Sequence, residues 1–173
     1  MRGHILSAIS ALIGLGALAS CGAGQSAAND APAEAPVVAE PDVEKTGTII
    51  EVRMLTRDPE DPVGLQVFKP RLVTARVGDT IRFVPTDPAH NVTSIDGMMP
   101  EGADGFDGAL NEEITYVVAK PGVYGFKCLP HYAAGMVGLI VVEGGDNAET
   151  AKRVNHPGLA GREFAELFDE AGL

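Results

Sequence analysis

Residues 123–143 read VYGFKCLPHYAAGMVGLIVVE and constrain the fold more than any other stretch. Two strand-like runs, 123–128 and 137–143, flank a short loop containing Pro130 and Gly135. In the first run, side chains alternate across the strand. Tyr124, Phe126 and Cys128 share one face, and Val123, Gly125 and Lys127 the other. The charge of Lys127 marks the outer face, so Cys128 is expected to point inward beside two aromatic rings. The second run is almost continuously apolar. Comparable runs recur upstream at 48–55, 65–69, 72–77, 80–84, 91–95 and 113–118, separated by Gly, Pro and Asp turn residues such as Gly78-Asp79 and Lys120-Pro121-Gly122. Many short strands punctuated this way point to an eight-stranded antiparallel β-sandwich rather than to alternating β and α units.

The ends of the chain differ from this middle. Asp146-Asn147-Ala148-Glu149 resembles a capping box and predicts a short helix to about residue 154. After Pro157-Gly158, residues Phe164, Leu167, Phe168 and Ala171 fall on one face of a second helix. The expected tail is therefore two short helices within 147–171, packed outside the sandwich. At the other end, Arg2 and His4 precede an apolar run, 5–19, too short to span a membrane comfortably at about 1.5 Å per residue. It reads as an export signal, 1–20. Leu18-Ala19-Ser20-Cys21 resembles a bacterial lipobox, which makes Cys21 the expected lipidated N-terminus; the alternative is ordinary cleavage after Ala17-Leu18-Ala19, which leaves Cys21 a plain thiol. Residues 21–46, rich in Ala, Pro and Glu, have no apolar period and read as a flexible tether spanning about 25–30 Å. The expected folded domain is 47–173. It carries 11 Lys and Arg against 19 Asp and Glu, a formal charge of −8, which speaks against a nucleic-acid partner.

Cys128 is the one cysteine beyond the first 21 residues. By itself such a residue is a small buried hydrophobe. Three features point elsewhere. His131 and Met136 follow it in the loop, so C-x2-H-x4-M can present two sulfurs and an imidazole to one point. A copper–thiolate centre needs a second imidazole, and His90 opens a strand, whereas His4 lies in the signal and His156 precedes a proline in the tail. An exported chain also meets oxidising surroundings, where coordination protects a lone thiol. The alternatives are a copper carrier or sensor, a Cys–His thiol enzyme, which lacks a third orienting group here, and a zinc site, for which Met136 is a poor ligand.

The order His-Asn … Cys-x-Pro-His-x4-Met, with VGDTIRFVPTDPAHNV, GMMPEGADGF and GVYGFKCLPHYAAGM, closely resembles the cupredoxins, and within them the pseudoazurin group, from about Thr48 to the C-terminus. The resemblance implies a Greek-key sandwich and one type 1 copper ion held by His90, Cys128, His131 and Met136. It implies a monomeric periplasmic protein that shuttles single electrons between redox proteins such as nitrite reductase, nitrous oxide reductase or a c-type cytochrome; the lipobox adds an expected lipid anchor to a bacterial membrane. No substrate is transformed, so the chain is not expected to be an enzyme. Asn91 is expected to tie the His90 segment to the Cys128 loop. Pro130, having no N–H, is expected to leave the thiolate more electron-donating. Met98 and Met99 are expected on an exposed apolar patch, and Tyr132 in loop packing. Docking is expected to involve Arg57, Lys127 and Met98. The pattern departs from the family where Pro88 and Gly105 replace lysines, Asp104 and Asp107 lie close by, and Gln66 stands where methionine is common.

Overall fold

The computed structural model describes residues 47–173. The expected signal (1–20), lipidated Cys21 and tether (21–46) lie outside the described residues. Among the described residues eight strands run in chain order, β1 (Ile49–Arg57), β2 (Leu65–Lys69), β3 (Leu72–Ala75), β4 (Thr80–Val84), β5 (Thr93–Ser94), β6 (Ile114–Val117), β7 (Gly122–Lys127) and β8 (Val137–Val142). They form two four-stranded sheets, ordered β2-β1-β4-β6 and β3-β8-β7-β5.

Pairing is not antiparallel throughout, as the sequence suggested. β1 runs parallel to β4 and β3 parallel to β8. The cause is the turn at Gly78-Asp79. It does not close a hairpin but carries the chain from one sheet to the other, so β3 and β4 each join a strand distant in sequence. Asp79 closes this turn by accepting from the Arg76 N–H at 2.8 Å, and its own carbonyl accepts from the Val118 N–H at 2.9 Å.

Between the sheets lies a core that includes Met54, Phe83, Tyr124, Phe126, Cys128 and Met136. Phe126 sits edge-on to Phe68 and to Phe83, with centroids 4.9 and 5.1 Å apart. Its strand partner is Gly138, where a Cβ would collide with the Phe126 ring. A second apolar layer covers the outer face of β7 and β8. There Val123, Val137 and Leu139 meet Phe164, Leu167 and Phe168 of the C-terminal helix. β7 and β8 are thus buried on both faces, which explains the near-continuous apolar run of β8.

Met98 belongs to this second layer. It is 0 % exposed and fills the space above Gly125, so the expected exposed docking role for Met98 is corrected. The loop holding it is pinned to the strand by Ile95 N–H donating to the Gly125 carbonyl and Gly125 N–H donating to Met98.

The tail holds two helices, α1 (Ala148–Ala151) and α2 (Ala160–Glu170). The first is a single turn, shorter than expected, and no capping box forms. The Asn147 amide is engaged elsewhere, accepting from the Val123 N–H and donating to the Val123 carbonyl, both at 2.8 Å. Helix α2 lies against β8, with Arg71 bonded to Glu163 at 2.8 Å.

Candidate metal centre

The site forms where β7 ends. Cys128 follows the last residue of the strand and keeps its alternation, so its side chain enters the inter-sheet core and is 0 % exposed. The chain then turns through 129–136. Cys128 N–H donates to the Met136 carbonyl at 3.0 Å, and Met136 N–H donates to the His131 carbonyl at 3.2 Å. A single 3-10 turn, Tyr132–Ala134, closes at Gly135, whose φ of +95° favours glycine. These bonds fix His131 and Met136 relative to the thiol, and Met136 is buried in the same core cluster.

His90 arrives from the loop before β5. Its Nδ1 lies 3.8 Å from the Cys128 sulfur, and the His131 Nδ1 lies 3.5 Å from it. The ligating atoms of the three residues all lie within 4.8 Å of one another. First-row metal bonds of about 2.0 Å to N and 2.3 Å to S, at a near-tetrahedral angle, separate two donors by about 3.5 Å. The donor set therefore fits one metal ion. Two imidazoles and a thiolate, with a thioether in the same buried cluster, suit copper better than zinc or a hard cation.

Burial disfavours charge on both Cys128 and His90. Burial pushes the Cys128 thiol up, partly offset by the Asn91 and His131 backbone N–H groups, so an incoming metal must displace its proton. Burial holds His90 below its ordinary value, helped by repulsion from His131 and opposed by Asp87. Neutral His90 carries one protonated nitrogen, and coordination through Nδ1 requires that it be Nε2. The Thr56 Oγ1 lies 3.1 Å from His90 Nε2, placed to accept the N–H of the tautomer whose unprotonated Nδ1 faces the sulfur. Nothing in the sequence marked Thr56, whose only signal was its place at the end of β1, 34 residues from His90.

Asn91 reaches the loop. Its Oδ1 accepts from the Leu129 N–H at 2.8 Å while its Nδ2 donates to the Gly108 carbonyl at 3.1 Å. One buried amide thus ties three segments together. Pro130 is exposed beside the thiol loop. His131 is half-buried, unlike His90, Cys128 and Met136. Tyr132 is tied down on two sides. Its hydroxyl meets His156 Nδ1 at 2.6 Å, and the Lys127 ammonium lies 4.7 Å from its ring. Arg57 is exposed, donating to the Pro62 carbonyl. Gln66 has a φ of +55° and a buried Oε1 with no partner.

Known proteins are similar to this chain in sequence and fold. A family model described as copper binding proteins, plastocyanin/azurin family, matches residues 61–143. The chain is 46 % identical over 120 residues to a pseudoazurin of Methylorubrum extorquens, covering 69 % of this chain and 79 % of that one. It is 44 % identical over 108 residues to a pseudoazurin of Paracoccus pantotrophus, covering 62 % and 72 %. Among solved structures, pseudoazurin from Methylobacterium extorquens matches with a TM-score of 0.67 at 44 % identity, over 71 % of this chain and 98 % of that one. Pseudoazurin from Hyphomicrobium denitrificans matches with a TM-score of 0.67 at 33 % identity, over 71 % and 98 %.

Proposed function

The chain belongs to the pseudoazurins, and from that premise we propose that His90, Cys128, His131 and Met136 hold its copper ion while the protein shuttles single electrons between redox proteins at the periplasmic side of a bacterial membrane. As a member of this family it binds one copper, transfers electrons and is not an enzyme. What carries the ligand assignment is the approach of the Cys128 sulfur to the two Nδ1 atoms, at 3.5 and 3.8 Å, with His90, Cys128 and Met136 all 0 % exposed.

Bound copper supplies a one-electron couple between Cu(II) and Cu(I). The protein's part is to hold the donors still. Thr56 orients His90, Asn91 joins the His90 segment to the loop, and the bonds among Cys128, His131 and Met136 fix the spacing of the remaining donors. A donor set held this way changes little between redox states, which keeps the reorganisation on electron transfer small. Its route to the surface is His131, the half-buried member of the set. Pro130 offers the sulfur no additional N–H, which favours the oxidised state and a lower potential.

By family kinship the partners are nitrite reductase, nitrous oxide reductase or a c-type cytochrome, met by a monomer. Lipidation of Cys21 would hold the domain near membrane-bound partners and raise their effective concentration. The test is to add Cu(II) to the apo-protein and record visible and EPR spectra. An intense thiolate-to-copper band is expected, absent in Cys128→Ser, with reversible voltammetry. Absence of the band in the unaltered chain ends the reading. Loss of the metal on each reduction would favour a copper carrier instead. Separately, Cys21→Ala is expected to release the mature protein from membranes.

A further inference from the structure

Eight large apolar side chains are exposed among the described residues. Scattered singly, they would need no explanation. They are not scattered. Leu110 and Leu129 line a depression beside Pro130, at one end of the loop that carries His131. Val63, Leu65 and Leu159 line another beside Ala134 and Gly135, at the other end. Five of the eight thus line depressions that border the two ends of the loop carrying the half-buried His131.

The charges around these depressions are of one dominant sign. Beside Leu129 the charged lining residues are Asp107 and Glu112, and neither has a cationic partner among the described residues. Their oxygens instead accept from the Thr93 hydroxyl and the Ala109 N–H. In the second depression the cations are already matched. Lys69 is closed by Asp58 and Glu60 at 2.6 and 2.8 Å, and Arg71 and Arg162 by Glu163 at 2.8 and 2.9 Å. Asp61 has no such partner. Outside both depressions, Asp87 is also without a cationic partner among the described residues, and its carboxylate accepts from the Thr56 N–H beside His90. Three unpaired carboxylates thus line the two depressions and no unpaired cation does, while Arg57 and Lys127, also outside the ion pairs, line neither, the latter lying over the Tyr132 ring. The domain's formal −8 adds to the same field.

We propose that this face receives a redox protein whose own docking surface is apolar at its centre and rimmed with lysine or arginine. The inference rests on the electron-transfer reading above. The leucines exclude water around the His131 edge, and the carboxylates select and steer the approaching partner. Rim charges act mainly on association rate, and salt screens them over about 8–10 Å at 0.10–0.15 M. An acidic-faced partner would meet like charge here.

The test uses the copper-loaded full chain in its reduced form, oxidised in stopped flow by a trivalent cationic cobalt tris-phenanthroline complex, by ferricyanide, and by a c-type cytochrome with a lysine-rimmed haem edge. The rates with the cobalt complex and the cytochrome are expected to fall as ionic strength rises, and that with ferricyanide to rise. Asp107→Asn with Glu112→Gln, which keep both acceptors, is expected to slow the cobalt complex about fivefold at about 0.01 M salt, with visible band and potential unchanged. Leu129→Ser is expected to slow the cytochrome and leave the cobalt complex unaffected. Cobalt-complex rates indifferent to salt and to both carboxylate changes, with band and voltammetry intact, overturn the docking proposal alone. A stable dimer in sedimentation that Leu129→Ser dissociates would place a second copy on this face and overturn it too. Loss of the band in the unaltered chain defeats the copper reading beneath it.

Discussion

Replacing Asn91 with Ala removes one amide and two hydrogen bonds at once. The bond to the Leu129 N–H, 2.8 Å long, belongs to a residue exposed enough for water to replace it, so its loss costs about 0.5–1.5 kcal/mol. The bond to the buried Gly108 carbonyl, at 3.1 Å, has no such substitute and costs about 1–3 kcal/mol. The 3.5 Å contact to Thr93 is too long to add much. The sum is about 3 kcal/mol for the apo-protein, or a urea midpoint lower by about 1.5 M at a slope near 2 kcal/mol/M. For a domain of this size the midpoint temperature falls by about 10 °C. Urea unfolding followed by circular dichroism measures the first and calorimetry the second. Asn91→Asp sharpens the reasoning, because it keeps the acceptor for Leu129 but turns a carboxylate toward the Gly108 carbonyl, and so should be at least as damaging at neutral pH. A loss below about 0.5 kcal/mol in Asn91→Ala, with the slope unchanged, would mean that the three segments hold together without the amide, and the argument from these two bonds would fail.

Thr56→Val should weaken copper binding about tenfold, read by competition with a chelator, because the His90 Nε2 proton loses its acceptor. Pro130→Ala should raise the reduction potential in voltammetry by restoring an N–H near the sulfur; an unchanged or lower value would refute that account. Gly138→Ala should destabilise the fold by about 3 kcal/mol or more in urea, since the new methyl meets the Phe126 ring and that ring is already held between Phe68 and Phe83. Burial, with help from Lys127, holds His156 below its ordinary value near 6.5, so below that pH the unfolded chain binds more protons and stability falls with pH until the folded value is passed. The melting temperature of the apo-protein should therefore drop more steeply between pH 7 and 5 than that of His156→Gln.

The ligand loop was legible because its information is local. Strand alternation turns Cys128 inward, and His131 and Met136 follow within eight residues. Strand positions were legible from apolar runs and turn residues for the same reason, though β5 shrinks to Thr93–Ser94. What needed the third dimension was pairing and neighbours. Periodicity says which face of a strand is buried but not which strand lies beside it, so the two parallel ladders were missed. Met98 looked exposed because its Gly- and Pro-rich surroundings suggest a surface loop; its cover is the gap above Gly125, across the strand. Asn147 looked like a helix cap because its neighbours spell one, yet its amide finds better-placed partners 24 residues away. Polar side chains go to whichever backbone group is left open, and local sequence does not reveal that group.

The grip of Asn147 on Val123 has a dynamic consequence. The side-chain amide occupies the donor and acceptor of a single residue as an adjoining strand would, but it belongs to a tail that can leave without unzipping the sheet. Segments of low local stability open on their own, well below the free energy of global unfolding. Detachment of the tail would free the Val123 amide to exchange with solvent deuterium, while the amides of residues 124 and 126 stay locked in the ladder with β8. Exchange at that single amide becomes a clock for tail opening, and each opening bares the apolar outer face of β7 and β8 to any other chain in reach.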